Sequence, residues 1–436
     1  MTATVNGSPE REPTLGEFWN LFYDREILQR FNMLEEWRWV QEAGTSPLGD
    51  ALRARYMCSG RYDPPLLSAI LRHAACDGEH PIQERSLLIA DILMMLRDTD
   101  ASDSSLFSSL VEFFLEGRRP SVSRPHPEKF LVELTNNCNL NCVMCGVGAK
   151  GYDPSRTMEL SFFESICRNT LRTAKTVRLN GLGETTIVPD FHRYLDLAEE
   201  LAASLELVTN LSTRDRHLLA RLIDMDFMLF ISCDAVRRDD LSRIRRGLDV
   251  EQFLENIRYI HELSSGTGRD RLKTQIIMTI LNCNFRQLPE MVEFAARNGI
   301  GGVIANMQKG GSGNWMRNRF SELVETFRKA ERVAQQTGVL LMLPDRIEGL
   351  PVPLGTVSFS NHSSCPTYRE EAFIRYNGDV CPCNMMNPYV YGNLRRNSMR
   401  EVLCSLPSIL FDYLMEGGSR HPYCLNCYYL RRKADG

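Results

Sequence analysis

The stretch ELTNNCNLNCVMCG, residues 133–146, limits what this chain can become more than any other. It sets Cys138, Cys142 and Cys145 in a C-x3-C-x2-C array directly behind an apolar run, Phe130 to Leu134, that reads as a buried strand. Three thiolates crowded onto one loop suit an iron–sulfur cluster. Such a cluster is normally held by four cysteines, so three leave one iron free to bind something else. The alternative is zinc, although zinc motifs usually pair cysteines as two C-x2-4-C units rather than as a triplet.

Composition narrows the classes. A chain of 436 residues exceeds one ordinary core, so two or three domains are expected. Hydrophobic residues at 43% and charged residues at 24% describe a globular protein. With 55 acidic against 51 basic residues and a net charge of −4, nothing advertises a nucleic-acid partner. The first residues, MTATVNGSPEREP, lack the apolar core of a signal peptide, and no apolar run is long enough to cross a bilayer. Fourteen cysteines without an export signal argue for metal ligation over disulfides, and for a cytoplasmic location.

Along the chain, residues 1 to about 13 read as a loose polar tail. From Leu15 to about Leu115 the pattern is helical. Phe18, Trp19, Leu21, Phe22, Ile27, Leu28, Phe31 and Leu34 recur at 3-4 spacing, and ERSLLIADILMMLRDT is a second helix, so these aromatics read as helix packing. Cys58, His73 and Cys76 have no ligand-like company there. GRRPSVSRPHPEK, residues 117–129, carries three prolines and reads as a linker. Beyond it, strands alternate with helices. The strands are expected at Phe130–Leu134, Thr176–Leu179, Leu205–Val208, Met228–Ser232, Thr274–Ile280 and Val303–Met307; the helices include FHRYLDLAEELAAS, VEQFLENIRYIHEL and LPEMVEFAARNG. Six β/α units predict a partial barrel, with reactive groups at the C-terminal ends of its strands. Cys138 follows the first strand as that rule requires. The domain expectation is therefore a helical region and linker over 1–125, a barrel over 126–338 and a cysteine-rich extension over 339–436.

The triplet behind a strand, with this alternation, resembles the radical S-adenosylmethionine (SAM) superfamily. The resemblance implies that the open iron chelates the amino and carboxylate groups of SAM. It also implies roles for residues at the other strand ends. NGLGETT, Asn180 to Thr186, stands where the family has a glycine-rich GGE element that receives the SAM amino group, so Gly181, Gly183 and Glu184 become candidates. Here the element reads GLGETT, not GGEP. Asn210 in TNLS, and Ser232 and Asp234 in ISCDA, are short polar groups able to bond ribose hydroxyls, although short polar residues also commonly end strands. IRRGLDVEQFLENI resembles the stretch after the fourth strand in SPASM-type members, where Arg246 would be either a partner of the SAM carboxylate or a solvated arginine. Met144 fits the position that packs on adenine. Cys167, Cys233, Cys283 and Cys404 are isolated and read as packing.

The tail carries a second cysteine group. The spacing C-x12-G-x4-C over Cys365, Gly378 and Cys383, followed by Cys424 and Cys427, resembles a "twitch" or shortened SPASM extension. Cys365, Cys383, Cys424 and Cys427 would then hold one auxiliary [4Fe–4S] cluster, with Cys381 spare or exchanging with Cys383. A structural zinc ribbon is the alternative. The pattern is similar to 2-deoxy-scyllo-inosamine dehydrogenase and to the radical SAM diol-dehydratase of apramycin biosynthesis. The resemblance implies hydrogen abstraction from a carbinol C–H of an amino sugar or aminocyclitol. A ketone would follow by dehydrogenation or diol dehydration, with flavodoxin or ferredoxin as electron donor. Glu184 and Asp234 would hold an ammonium group or take the hydroxyl proton. Modification of a ribosomal peptide is the other enzymatic reading, and an RNA- or zinc-binding module the reading without turnover. The missing basic stripe speaks against RNA.

Overall fold

A computed structural model describes residues 126–149, 151–308, 315–344, 346–347, 350–351, 365, 367–384, 389–403, 408 and 411. The expected N-terminal helices, Cys58, His73, Cys76, Cys404, Cys424 and Cys427, and most of the linker lie outside the described residues. The chain divides into two compact units, residues 1–123 with 406–422, and residues 124–405 with 423–436. The second unit holds the cysteine triplet and every described strand.

Strands β1 (Lys129–Val132), β2 (Thr176–Leu179), β3 (Ser204–Thr209), β4 (Met228–Ser232), β5 (Thr274–Ile280), β6 (Gly302–Met307) and β7 (Leu340–Met342) run parallel in sequence order. The six expected strands appear within a residue or two of their ends, as a partial α/β barrel requires. β7 adds a short seventh. Helices α1 (Leu160–Asn169), α2 (Phe191–Glu199), α3 (Arg216–Asp224), α4 (Arg238–Ile244), α5 (Val250–Thr267), α6 (Leu288–Arg297), α7 (Trp315–Asn318) and α8 (Phe320–Thr337) connect them. Local chemistry sets several ends. Asp249 caps α5 by accepting from the Gln252 amide at 3.2 Å, and Gly268 and Gly338 close α5 and α8 with φ of 66°.

The sheet does not stop at β1. After β8 (Arg346–Ile347) and β9 (Leu350–Pro351), which pair only with each other, β10 (Glu371–Ile374) lies parallel to β1 on its other side. β11 (Asp379–Cys381) and β12 (Gly392–Asn393) follow antiparallel, completing a ten-stranded sheet in the order β12-β11-β10-β1-β2-β3-β4-β5-β6-β7. The cysteine-rich extension thus continues the barrel sheet.

Alternation along the strands separates two faces. Phe130, Val132, Val177, Leu179, Leu207, Leu229, Met278 and Val303 are fully buried on the helix-covered face. The other face is polar in the barrel's first strands. Lys129 lies 3.2 Å from Glu371 and 4.0 Å from Glu206. Arg178 Nε donates to Glu206 at 2.5 Å, and its guanidinium lies 4.8 Å from the Phe230 ring centre. These charged groups are partly buried and paired in the N-terminal half of the strands, while Leu131, Phe373 and Cys381 form an apolar cluster on the same face.

Candidate functional site

The cysteine loop leaves β1 at its C-terminal end and is held from four sides. Before Cys138, Thr135 Oγ1 and Thr157 Oγ1 lie 2.9 Å apart. The Asn137 side-chain amide donates to the Asp153 carbonyl at 2.8 Å and its oxygen accepts from the Asp153 amide at 3.0 Å. At the base, the Glu184 amide donates to the Asn137 carbonyl at 2.8 Å. Inside the loop, Asn139 accepts from the Asn210 side chain at 2.9 Å and donates to Ser212 Oγ at 2.7 Å. On the far side, Asn141 N donates to the Arg246 carbonyl at 2.8 Å and Val143 N to that of Ile244 at 2.9 Å. These two bonds set Cys142 opposite Arg245, as in a short antiparallel pair.

Burial pushes the Cys142 thiol up to about 11, against the pull of the Arg245 guanidinium, and raises Cys138 as well. Each of Cys138, Cys142 and Cys145 is outside any disulfide, and the three lie within electrostatic reach of one another. A cationic metal inverts this preference for the proton, because it binds the thiolate. Among the described residues no three His, Cys, Asp or Glu side chains gather tightly enough for a single metal ion. A cluster takes one thiolate per iron, so a looser trio of soft donors on one loop fits it.

The glycines of the β2 loop serve the same loop. A Cβ on Gly183 would stand 2.3 Å from the Asn137 carbonyl oxygen and 2.5 Å from that of Thr135; one on Gly181 would stand 2.3 Å from Glu133 Cγ. At Gly183 the neighbours are backbone and cannot move aside cheaply. Gly183→Ala is therefore expected to cost about 1–3 kcal/mol of stability and to leave the loop's cluster incompletely reconstituted. Gly146→Ala is the control, since nothing lies within 4 Å of a Cβ there. Wild-type unfolding and iron content in Gly183→Ala would refute this account of the close approach.

The two carboxylates expected to meet substrate are engaged within the fold. Glu184 is 4% exposed; Oε1 accepts from Thr209 Oγ1 and Thr186 Oγ1, both at 2.7 Å, and Oε2 from the Asn210 amide at 2.6 Å. It joins the end of β2 to the end of β3. Asp234, 0% exposed, accepts from the Thr279 amide at 2.7 Å and stands 2.8 Å from Arg245 Nε. Glu184 has both oxygens in hydrogen bonds, and Asp234 has Oδ1 on the Thr279 amide and Oδ2 against the Arg245 charge, so both hold strand ends in place. Asn210 is likewise buried, with its side chain on Asn139 and its oxygen accepting from the Ser212 amide at 3.0 Å. Ser232 and Met144 are half-buried. Arg246 is exposed, and its carbonyl, not its guanidinium, meets the cysteine loop. Of the adjacent pair it is Arg245 that the fold buries. Leu211, between Asn210 and Ser212, has φ of 55°, a left-handed conformation rare for a side chain of its size.

In the extension, Cys381 is fully buried against Leu131 and Phe373, with Val390 alongside, and burial raises its thiol well above the usual value. The charges of Arg375, Asp379 and Glu133 also reach it. Cys383, two residues on, is half-buried and Cys365 is buried. Cys167 and Cys233 are packed as expected, whereas Cys283 is exposed, a correction to its reading as core. Sequence reasoning passed over Glu133, Asn137, Asn139 and Arg245. The run of polar residues TNNCN was the available signal for two of them.

Comparison with known proteins follows the same division. A model of the radical SAM superfamily matches residues 132–295, and one for SPASM, an iron–sulfur cluster-binding domain, matches residues 365–428. The chain is 22% identical over 329 residues to a tungsten-containing aldehyde ferredoxin oxidoreductase cofactor-modifying protein of Pyrococcus furiosus, covering 68% of this chain and 86% of that one. In fold it is similar to hexahistidine-tagged anSMEcpe with bound AdoMet, at TM-score 0.52, 16% identity, and 69% and 86% coverage of the two chains. It is also similar to SuiB of Streptococcus suis bound to the precursor peptide SuiA, at TM-score 0.51, 15% identity, and 85% and 88% coverage.

Proposed function

Since the chain carries a radical SAM domain at 132–295 and a SPASM cluster-binding domain at 365–428, we propose that it is an enzyme acting on a carbinol C–H bond. The substrate class is an amino sugar or aminocyclitol, the product a ketone formed by dehydrogenation or diol dehydration, and the setting aminoglycoside-type biosynthesis. The supporting observation is the set of polar residues at the strand ends beside the cysteine loop, Asn180, Asn210 and Ser232, which suits a small hydroxylated guest better than an apolar one.

In this reading Cys138, Cys142 and Cys145 hold the SAM-binding cluster. Cys365, Cys383, Cys424 and Cys427 hold the auxiliary one. When loaded, these sites supply a 5′-deoxyadenosyl radical to take the hydrogen atom and an acceptor for the remaining electron. The chain's own residues position and enclose. Glu184, Asn210 and Asn139 fix the height of the cysteine loop over the strand ends, with Gly181 and Gly183 beneath it. Met144, Ser232 and Arg246 remain the candidates for touching SAM. Asp234 with Arg245 braces Cys142 from behind. A flavodoxin or ferredoxin would deliver the electron, in the cytoplasm. Among the described residues no helix is long and apolar enough to cross a membrane.

The experiment is isotope transfer. An aminocyclitol deuterated at its carbinol carbon is expected to pass deuterium into 5′-deoxyadenosine during turnover, read by mass spectrometry. Retention of the label at carbon would rule the reading out. Modification of a ribosomal peptide is the second reading, favoured by the breadth of the likeness to SuiB bound to SuiA. Tight binding of a leader peptide, with no response to aminocyclitols, would put it first.

A further inference from the structure

Three neighbouring strands end on polar residues that the fold leaves incompletely bonded. Ile374, Val132 and Leu179 stand in register across β10, β1 and β2. The residue after each is Arg375, Glu133 and Asn180, on the lumen side by alternation. Glu133 is 0% exposed. Its Oε1 accepts from the Leu182 amide at 2.8 Å, while its Oε2 has no well-formed hydrogen bond, the Tyr376 amide approaching the carboxylate only loosely. Arg375 Nε, also without a hydrogen bond, lies 3.8 Å from that oxygen, too far to satisfy it, and Arg375 Nη1 lies 3.7 Å from Asp379. Asn180 Oδ1 is buried and unbonded as well. A buried acceptor with nothing to accept costs free energy, and native structures rarely leave several side by side.

From this row we infer that Arg375, Glu133 and Asn180 form a substrate subsite, taking a protonated amine on Glu133 Oε2 and a flanking hydroxyl between Asn180 and Arg375. The charges agree. Glu133 and Asp379 face the single guanidinium of Arg375, while Arg156 stands further off and donates to the Asn136 carbonyl. One negative charge is therefore left for a cation. The role expected from sequence of Glu184 and Asp234 falls to Glu133, whose second oxygen faces Arg375 without a well-formed hydrogen bond. This rests on the carbinol reading above and adds to it the end of the substrate that is gripped.

The test uses reconstituted holoenzyme with SAM and two probes, 2-deoxy-scyllo-inosamine and the cyclitol with a hydroxyl in place of its amine. Wild type is expected to favour the amine in kcat/KM by at least about tenfold. In Glu133→Gln the amine's KM should rise about tenfold while kcat stays within about threefold. SAM cleavage without substrate should be unchanged. A preference that survives in Glu133→Gln overturns the subsite, as does a parallel fall in uncoupled SAM cleavage, which would assign Glu133 to SAM or to the loop. If wild type turns over neither probe, the carbinol reading fails first and the amine assignment with it.

The pH dependence of stability controls for misfolding. Burial raises the Glu133 pKa, outweighing the Leu182 and Tyr376 amides, Arg375 and Arg156. A carboxyl raised in the folded state contributes stability below its unfolded value, and that contribution is lost as pH rises through the folded value. Glu133→Gln is therefore expected to unfold no more easily than wild type at about pH 8, with any advantage closing towards about pH 4. Should that variant fail to fold, Asn180→Ala decides. A KM raised about threefold for both probes supports the row, and no change overturns it.

Discussion

Alanine at Cys138, Cys142 and Cys145 together is expected to halve the iron and sulfide of the anaerobically reconstituted protein, from about eight to about four atoms of each per chain, and to abolish SAM cleavage. The effect is large because the three thiols sit on one loop and no other described cysteine joins them. The iron that remains is the informative part. It would belong to Cys365, Cys383, Cys424 and Cys427, independent of SAM, and would make an oxidative outcome the one to pursue. If the triple variant retains no iron, the tail cysteines hold zinc or nothing, the electron-acceptor role falls, and a redox-neutral rearrangement moves ahead.

The second large effect is thermodynamic. Asp234→Ala is expected to destabilise the holoprotein by about 3–5 kcal/mol, the range for removing one partner of a buried ion pair. Arg245 would be left charged and 7% exposed, with its carboxylate partner gone and little solvent to meet it. The Thr279 amide would lose its acceptor too. Because the Ile244–Arg246 segment bonds the cysteine loop on both sides of Cys142, the loss should also show as slower cluster reconstitution. The double variant Asp234→Leu/Arg245→Met separates charge from packing. It is expected to recover most of the stability in urea titrations, since replacing both partners with apolar groups is often neutral. An Asp234→Ala variant as stable as wild type would mean the pair is solvated and unimportant.

How much of this could be read from the chain depended on how each signal is encoded. Strands β4 and β5 were legible because a strand buried in a parallel sheet is a nearly unbroken apolar run, as in MLFIS and TQIIMTI. β7 escaped because three residues, LLM, carry no period, β10 because its pairing partner β1 lies some 240 positions earlier, and β11 and β12 because they are only three and two residues long. The cysteine triplet announced itself by spacing. The carboxylates did not divide so simply. Glu184 stood in a recognisable element, but nothing local told that Thr186, Thr209 and Asn210 would use its oxygens. Glu133 looked like the end of a strand, and its unbonded oxygen exists only once Gly181 closes over it. The same limit decided between Arg245 and Arg246. Adjacent arginines are equivalent in sequence, and only the pairing of 141–143 with 244–246 turns one inward.

The parallel pairing of β1 with β10 has a consequence for how the protein is made. During synthesis β1 emerges early, yet its second edge stays unpaired until residues 371–374 have left the ribosome. For that interval the strand leading into the cysteine loop presents a row of open amide and carbonyl groups, a template for association with other nascent chains. Closing a loop of that length is also slow relative to local helix formation. Expression of residues 126–338 alone should accordingly give aggregated protein that binds iron poorly, while the full chain supplies its own edge cover. The extension thus acts as a late-arriving chaperone for the strand that carries the first cluster.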